Sequence, residues 1–278
     1  MTAVPNIKLN NGVEIPQLGF GVFQIAPTET RAAVVEALRV GYRHIDTAEM
    51  YGNEREVAEG IREFGIDRAE VFVTSKLNNG FHARDAALRA FDESLAVMKL
   101  DYLDLFLIHW PLPAVGDFVE TWKTLEEIHR TGRVRAIGVS NFQAGHLDRL
   151  AAQATMVPAV NQIEIHPYWV QDDVRAADAA RGIATEAWSP IAQGQVLDDP
   201  VIVKIAARLN RSAAQVTLRW HIQRGDIVFP KSTTPARIAE NFAIFDFALT
   251  APDMAAITAL HRADGRRGPN PDEFNWIP

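Results

Sequence analysis

Eight short apolar runs, rich in β-branched and aromatic residues, recur along this chain, and stretches with helical spacing lie between them. The runs fall near 17–21, 42–46, 71–76, 103–109, 135–139, 158–163, 183–188 and 227–230. Strands separated by helices predict a parallel sheet, because each crossover helix lets the next strand run in the same direction. Helical spacing covers TETRAAVVEALRV, with Thr28 as a candidate cap and Gly41 as a stop. It continues through NEREVAEGIREF, ARDAALRAFDESLAVMK, DFVETWKTLEEIHRT, AGHLDRLAAQ, DDVRAADAAR, SAAQVTLRWHIQR after the cap Ser212, and PARIAENFAIF. Two further helices, over 200–209 and 252–262, fall outside the simple alternation, and the tail from Asp264 is expected to be irregular. Near the N-terminus, Asn11-Gly12 between two alternating runs predicts a type I′ β-hairpin.

Eight strand–helix units predict an α/β fold, a (β/α)8 TIM barrel forming one domain over 1–278, with the hairpin as its floor. A doubly wound open sheet is the rival. It favours a glycine fingerprint after the first strand, and Gly19-Phe20-Gly21-Val22-Phe23-Gln24 lacks the third glycine. A hydrophobic share of 47% with 23% charged residues supports a sizeable core. The formal charge of −7, without a basic run, argues against nucleic acid as a partner. With no cysteine, disulfides and thiolate catalysis are excluded. No signal peptide or membrane-length apolar stretch is legible, so the expectation is a cytoplasmic monomer with no membrane partner.

The ends of the predicted strands are polar: Asp46, Lys76, His109, Ser140-Asn141, Gln162, Trp188-Ser189 and Lys231-Ser232. In such a barrel the carboxyl ends of the strands carry the chemistry, while the inner layers below are aliphatic. Any one of these residues could simply begin a loop; the series as a whole points to a site. Tyr51 follows Asp46 by five residues. An acid, a phenol, an amine and an imidazole gathered at one mouth could exchange a proton with a carbonyl oxygen. A metal centre is not expected, because His44, His109 and His166 lack ligand-type spacing.

Three longer segments carry a resemblance to a known family. Gly41-Tyr42-Arg43-His44-Ile45-Asp46-Thr47-Ala48 with Tyr51-Gly52-Asn53-Glu54 is similar to the first signature of the aldo-keto reductases. Ile137-Gly138-Val139-Ser140-Asn141-Phe142 resembles the second, and Val228-Phe229-Pro230-Lys231-Ser232 with Arg237, Glu240 and Asn241 the third. The chain looks closest to prokaryotic 2,5-diketo-D-gluconate reductase-like members. The resemblance implies an oxidoreductase that reduces small aldehydes, dicarbonyls or keto-sugars with a nicotinamide dinucleotide lying across the barrel mouth.

Beside that resemblance stands a physical case. Hydride transfer to a carbonyl builds negative charge on its oxygen, so a proton donor is needed there. A free tyrosine, with a pKa of roughly 10, is a weak acid near neutrality, and an adjacent ammonium lowers that value. Tyr51 is therefore expected to be the general acid, Lys76 its tuner, Asp46 the residue that orients Lys76, and His109 the clamp on the substrate oxygen.

For the cofactor, the resemblance implies Trp188 against the nicotinamide ring and Ser140, Asn141 and Gln162 at its carboxamide. Ser189, Ile191 and Gln193 then lie along the pyrophosphate, and Gly21, Val22, Phe23 and Asp46 line the cofactor cleft. Lys231, Ser232, Thr233 and Arg237 gather at the start of the last barrel helix. Two cations at a helix N-terminus suit a phosphate, which points to NADPH, with Glu240 and Asn241 at the adenine.

Expected pocket walls are Phe23, Met50, Tyr51, Asn78, His109, Trp110, Phe274 and Trp276. Many relatives carry tryptophan in place of Phe23 and Asn78, so the carbonyl compounds accepted are expected to differ. Two rival functions are a catalytically weak NADPH-binding sensor and an isomerase or aldolase using Lys76 as a Schiff-base amine.

Overall fold

The computed structural model describes residues 4–278. Its first element is a hairpin of β1 (Asn6–Lys8) and β2 (Glu14–Pro16), paired antiparallel with Ile7 opposite Ile15. The connection is not a type I′ turn. Leu9 N donates to Val13 O at 2.8 Å and Gly12 N to Leu9 O at 2.9 Å, which closes a loop over Asn10, Asn11 and Gly12. Only Gly12 of these takes a positive φ, 87°, whereas type I′ requires it at both central residues. The asparagine side chains have other work. Asn10 Nδ2 donates to Pro158 O and Asn11 Nδ2 to Arg135 O, tying the turn to one loop and one strand start at the lower end of the sheet.

The remaining strands form one parallel sheet in sequence order. They are β3 (Phe20–Gly21), β4 (His44–Asp46), β5 (Phe72–Leu77), β6 (Leu103–Ile108), β7 (Val134–Ser140), β8 (Val160–Glu164), β9 (Ala184–Trp188) and β10 (Ile227–Val228). A parallel bridge between Leu18 and Val228 joins the two ends, with Gly19 N donating to Val228 O at 2.8 Å. The sheet is the predicted barrel, and every predicted strand is present.

The helices are α1 (Pro27–Val40), α2 (Glu54–Phe64), α3 (Arg84–Met98), α4 (Phe118–Arg130), α5 (Ala144–Gln153), α6 (Asp172–Ala180), α7 (Pro200–Leu209), α8 (Ala213–Arg224), α9 (Pro235–Phe242) and α10 (Ala251–Thr258). Two ends differ from expectation. Thr28 does not cap α1; Pro27 starts the helix, where a missing N–H costs nothing. The last helix stops at Thr258 instead of continuing to 262, and the chain beyond is irregular.

Alternation along the strands explains where the chemistry sits. Side chains of one strand face the same side every second residue. The inner column of β5 therefore runs Phe72, Thr74, Lys76, that of β6 Leu105, Leu107, His109, and that of β8 Val160, Gln162, Glu164. The lower members, Phe72, Leu105, Leu107 and Val160, form an apolar plug with Leu9 and Ile15 of the hairpin beneath it. The upper members are polar. A second, larger apolar layer between strands and helices buries Trp122, Trp220, Phe91 and Phe106.

The plug leaves little room. An added Cβ on Gly138 of β7 would lie 2.7 Å from both Leu107 Cδ2 and Val160 O, and the carbonyl cannot move without breaking the sheet. Gly138→Ala is expected to lower the unfolding free energy by about 1–3 kcal/mol, as overpacked cores do. Urea denaturation followed by tryptophan fluorescence measures it; an unchanged midpoint would mean that the barrel interior yields more easily than this packing implies.

Candidate active site

At the carboxyl end of the barrel, Lys76 is fully buried. Its Nζ donates to Asp46 Oδ1 at 2.8 Å, to Thr47 O at 2.8 Å and to Tyr51 Oη at 3.2 Å. An ammonium has three protons, and this one has three acceptors. Burial by itself would lower the pKa of Lys76. The charge of Asp46 and the bonds to Asp46 and Tyr51 more than reverse that, so it is raised and Lys76 remains charged.

Tyr51 ends a one-turn helix, Glu49–Tyr51, that follows β4. Asn53 fixes this loop: its Nδ2 donates to Val22 O at 3.0 Å and Ile25 O at 3.2 Å, while its Oδ1 accepts from Thr47 Oγ1 at 2.9 Å. The phenol does not have the lowered pKa expected from its ammonium neighbour. Burial raises it, Lys76 offsets only part, and the balance stays above the ordinary tyrosine value. Tyr51 is thus protonated throughout the neutral range.

His109 directly follows β6 and is buried, its ring 5.8 Å from that of Tyr51 in an edge-on arrangement. Burial, then the charge of Lys76, holds its pKa well below the ordinary imidazole value. The ring is neutral at pH 7 and can donate from one nitrogen only. Nδ1 is buried without a partner. The four residues expected to act together do meet, and Asp46, Tyr51, Lys76 and His109 form one contiguous cluster.

Gln162 departs from its expected place. Strand β8 runs on to Glu164, so Gln162 lies inside the barrel and not at the strand end. Its Nε2 donates to Asp46 Oδ2 and to Glu186 Oε2, each at 2.8 Å. Glu186 was not anticipated, although it stands two residues before Trp188 and so shares its face of β9. It is completely buried, with Oε1 unpartnered. Burial first, and then the charge of Asp46, pushes its pKa up to about 8.

The flanking residues line the same mouth. Ser140 Oγ donates to Gln162 O at 2.8 Å, Asn141 Nδ2 to His109 O at 3.0 Å, and Trp188 Nε1 to Asn141 Oδ1 at 2.9 Å. Asn141 takes φ 64°, a left-handed conformation that asparagine tolerates. Ser189 and Gln193 are also left-handed, at φ 50° and 55°, in the turn that contains Ile191. Gly21 lies so close to Phe229 O that a Cβ there would approach to 2.7 Å. Val22 beside it is buried.

Lys231, Thr233 and Arg237 are exposed around the start of α9, and Ser232 Oγ accepts from Thr234 N at 3.1 Å. Neither Lys231 nor Arg237 forms an ion pair among the described residues. Glu240 and Asn241 follow on the same helix.

Of the expected pocket walls, Phe23 packs at 4.9 Å against Tyr51 with the rings tilted by 50°, and is 53% exposed. Met50 is partly exposed in the turn that carries Tyr51. Asn78 Nδ2 bonds Glu49 Oε2, a polar wall beside that turn. Trp110 packs on Phe274 at 4.3 Å. Trp276 itself is exposed; its carbonyl, not its ring, is held, by Asn79 Nδ2 at 3.0 Å. Glu164 is a further unforeseen member. Its carboxylate accepts from Arg267 N and Gly268 N, which lays the tail against Trp188.

Comparison with known proteins agrees with this architecture. The model of the Aldo/keto reductase family matches residues 17–262, and the chain belongs to that family. It is 49% identical over 272 residues to an aldo-keto reductase of Mycolicibacterium smegmatis, covering 98% of each chain. It is 48% identical over 269 residues to the glyoxal reductase of Bacillus subtilis, covering 96% of each. Among solved structures, a variant of Gox0644 in complex with NADPH superposes with a TM-score of 0.95 at 45% identity, covering 99% of this chain and 100% of the other.

The raised pKa of Glu186 carries a stability consequence. A carboxyl that holds its proton more tightly folded than unfolded stabilises the fold fully below its unfolded pKa, near 4.5. That contribution is lost as the pH rises through about 8. Glu186→Gln should remove this slope. Between about pH 5 and pH 9 the wild type should lose on the order of 5 kcal/mol more than the variant. Urea titrations at a series of pH values check it; parallel slopes would mean that Glu186 is ionised in the folded chain.

Proposed function

We propose that this chain is an NADPH-dependent carbonyl reductase, acting on small aldehydes, dicarbonyls or keto-sugars as a one-domain cytoplasmic monomer. One observation carries the reading: a completely buried ammonium, Lys76, is shared between the carboxylate of Asp46 and the phenol of Tyr51. A phenol held in this way can release its proton only when negative charge develops beside it, and a carbonyl oxygen receiving a hydride supplies that charge.

The residues present fit the dinucleotide. Lys231 and Arg237 offer two cations without an ion pair among the described residues at the N-terminal end of α9, and a guanidinium fork suits a phosphate ester. Gly21 lets its strand pack against the backbone of Phe229, just ahead of Lys231 and Ser232. Trp188 presents a part-exposed ring beside Asn141. When bound, NADPH supplies the hydride that adds to the carbonyl carbon.

The chain's own residues do the rest. Neutral His109 donates a hydrogen bond that orients the substrate oxygen toward Tyr51. Tyr51 Oη transfers its proton to that oxygen, and Lys76 stabilises the phenolate left behind. Asp46 keeps Lys76 charged and in register. Phe23, Met50, Asn78 and Trp110 shape the space above. The relative named glyoxal reductase supports a small dicarbonyl substrate, and the polar Asn78–Glu49 wall supports one that carries hydroxyl groups.

Loss of NADPH absorbance with methylglyoxal or phenylglyoxal tests the reading directly. Tyr51→Phe should reduce kcat by roughly 10²–10⁴-fold, the usual contribution of a positioned acid, with NADPH binding retained by fluorescence. Full turnover in that variant would move the proton donor elsewhere.

Arg237→Ala should weaken NADPH binding by about tenfold, the loss of roughly one charge-assisted hydrogen bond, while NADH binding hardly changes. Equal losses for the two cofactors would contradict the phosphate assignment.

A further inference from the structure

Behind the proton-transfer residues lies a carboxyl that the proposed mechanism does not use. Glu186 points into the barrel from β9, opposite Gln162 in the strand register and fully buried. Its only hydrogen bond among the described residues comes from Gln162 Nε2, which also donates to Asp46. The amide nitrogen has two protons, and both are spent on carboxyl groups. One uncharged side chain thus links Glu186 to the acid that holds Lys76.

We propose, on the reading of the site given above, that Glu186 is a positioning residue that acts through Gln162 and Asp46. Carrying its proton it keeps the buried cluster neutral, and losing it weakens Tyr51 as an acid. With Asp46 ionised, Lys76 charged and Tyr51 and Glu186 protonated, the charges sum to zero. Ionised Glu186 leaves a net negative charge in a space where the one cation, Lys76, is already paired. That charge opposes formation of the phenolate, so the phenol holds its proton more firmly and yields it less readily to a carbonyl oxygen.

The neighbours on each side leave few other actors. From β4, Asp46 opposes ionisation of Glu186, and His44 is kept neutral by burial, its pKa lowered to about 3. From β5, Lys76 favours it. On β8, Glu164 is bound to His166 and to the backbone of Arg267 and Gly268. From β10 the register partner is the apolar Ile227, and the preceding Asp226 is paired with Arg175 and His221.

The test is the pH profile of NADPH-dependent carbonyl reduction for the wild type and for Glu186→Gln, which retains an acceptor for Gln162 but has no acidic proton. The wild-type kcat should fall above about pH 8, by roughly tenfold per unit at the steepest. In the variant that limb should move up by one pH unit or more. Glu186→Leu, which removes the acceptor as well, should also lose the limb and in addition raise KM for NADPH, because Gln162 then keeps only its bond to Asp46. Superimposed alkaline limbs in active wild type and Glu186→Gln would overturn the inference and leave the reductase reading intact; a wild type without turnover at any pH would overturn that reading.

Infrared spectroscopy gives a measure that does not depend on turnover. Burial raises the pKa of Asp46 and Glu54 as well, so the band is assigned by difference: a protonated-carboxyl band that disappears with a midpoint near pH 8 is expected in the wild type and not in Glu186→Gln, beside one near 7 from Asp178 in both. A spectrum in which no carboxyl remains protonated above pH 7.5 would overturn the inference.

Discussion

Burying the ammonium of Lys76 is the constraint on which the site depends. A charge taken out of water costs several kcal/mol unless its partners replace the lost hydration. Here each of three protons has an acceptor, and the three acceptors come from a strand end, a backbone carbonyl and a one-turn helix. Satisfying Lys76 therefore fixes Asp46, Thr47 and Tyr51 relative to one another. The same arrangement that prevents an unpaired charge in the core also sets a phenol at the barrel mouth.

The barrel makes this possible by dividing its interior into layers. Apolar side chains fill the lower part above the hairpin, and they exclude water from beneath the polar layer. The consequence is visible in the protonation states. Tyr51 and Glu186 both hold their protons more firmly than usual, and His109 stays neutral, with burial as the largest cause in each case. A low-dielectric floor and a single paired cation thus set the proton inventory of the whole cluster. Lys76 moderates the phenol without outweighing desolvation, which differs from the simple picture of an ammonium acidifying its neighbour.

Around this centre, the parts proposed to meet the ligands are more exposed. Lys231 and Arg237 stand exposed at the start of α9, where a phosphate could neutralise them. The tail runs from Glu164 and Trp188 at one side to Trp110 and Asn79 at the other, held by backbone bonds, the Trp110–Phe274 contact, and the side chains of Asp272 against His146 and Asn275 against Ala114 N. Membership of the aldo/keto reductase family rests on a match over residues 17–262, whereas on the proposed reading the choice among carbonyl compounds falls to such peripheral contacts.

Strand alternation, polar residues at strand ends and the first signature segment were enough to read the barrel and the meeting of Asp46, Tyr51, Lys76 and His109 from the sequence. Periodicity and strand termini are local properties, and a closed parallel barrel converts them into positions with little freedom. Glu186 escaped that reading because a glutamate inside an apolar strand looks like any other residue until its neighbour across the sheet is known. Its link to Gln162 joins residues 24 apart, and that of Gln162 to Asp46 spans 116. The turn after β1 went astray for a related reason: Asn10 and Asn11 answer to the carbonyls of Pro158 and Arg135, not to the hairpin alone. What the linear chain determined was which side chains reach the mouth; only the tertiary fold decided which of them keep a proton, because desolvation is a property of everything packed around a group.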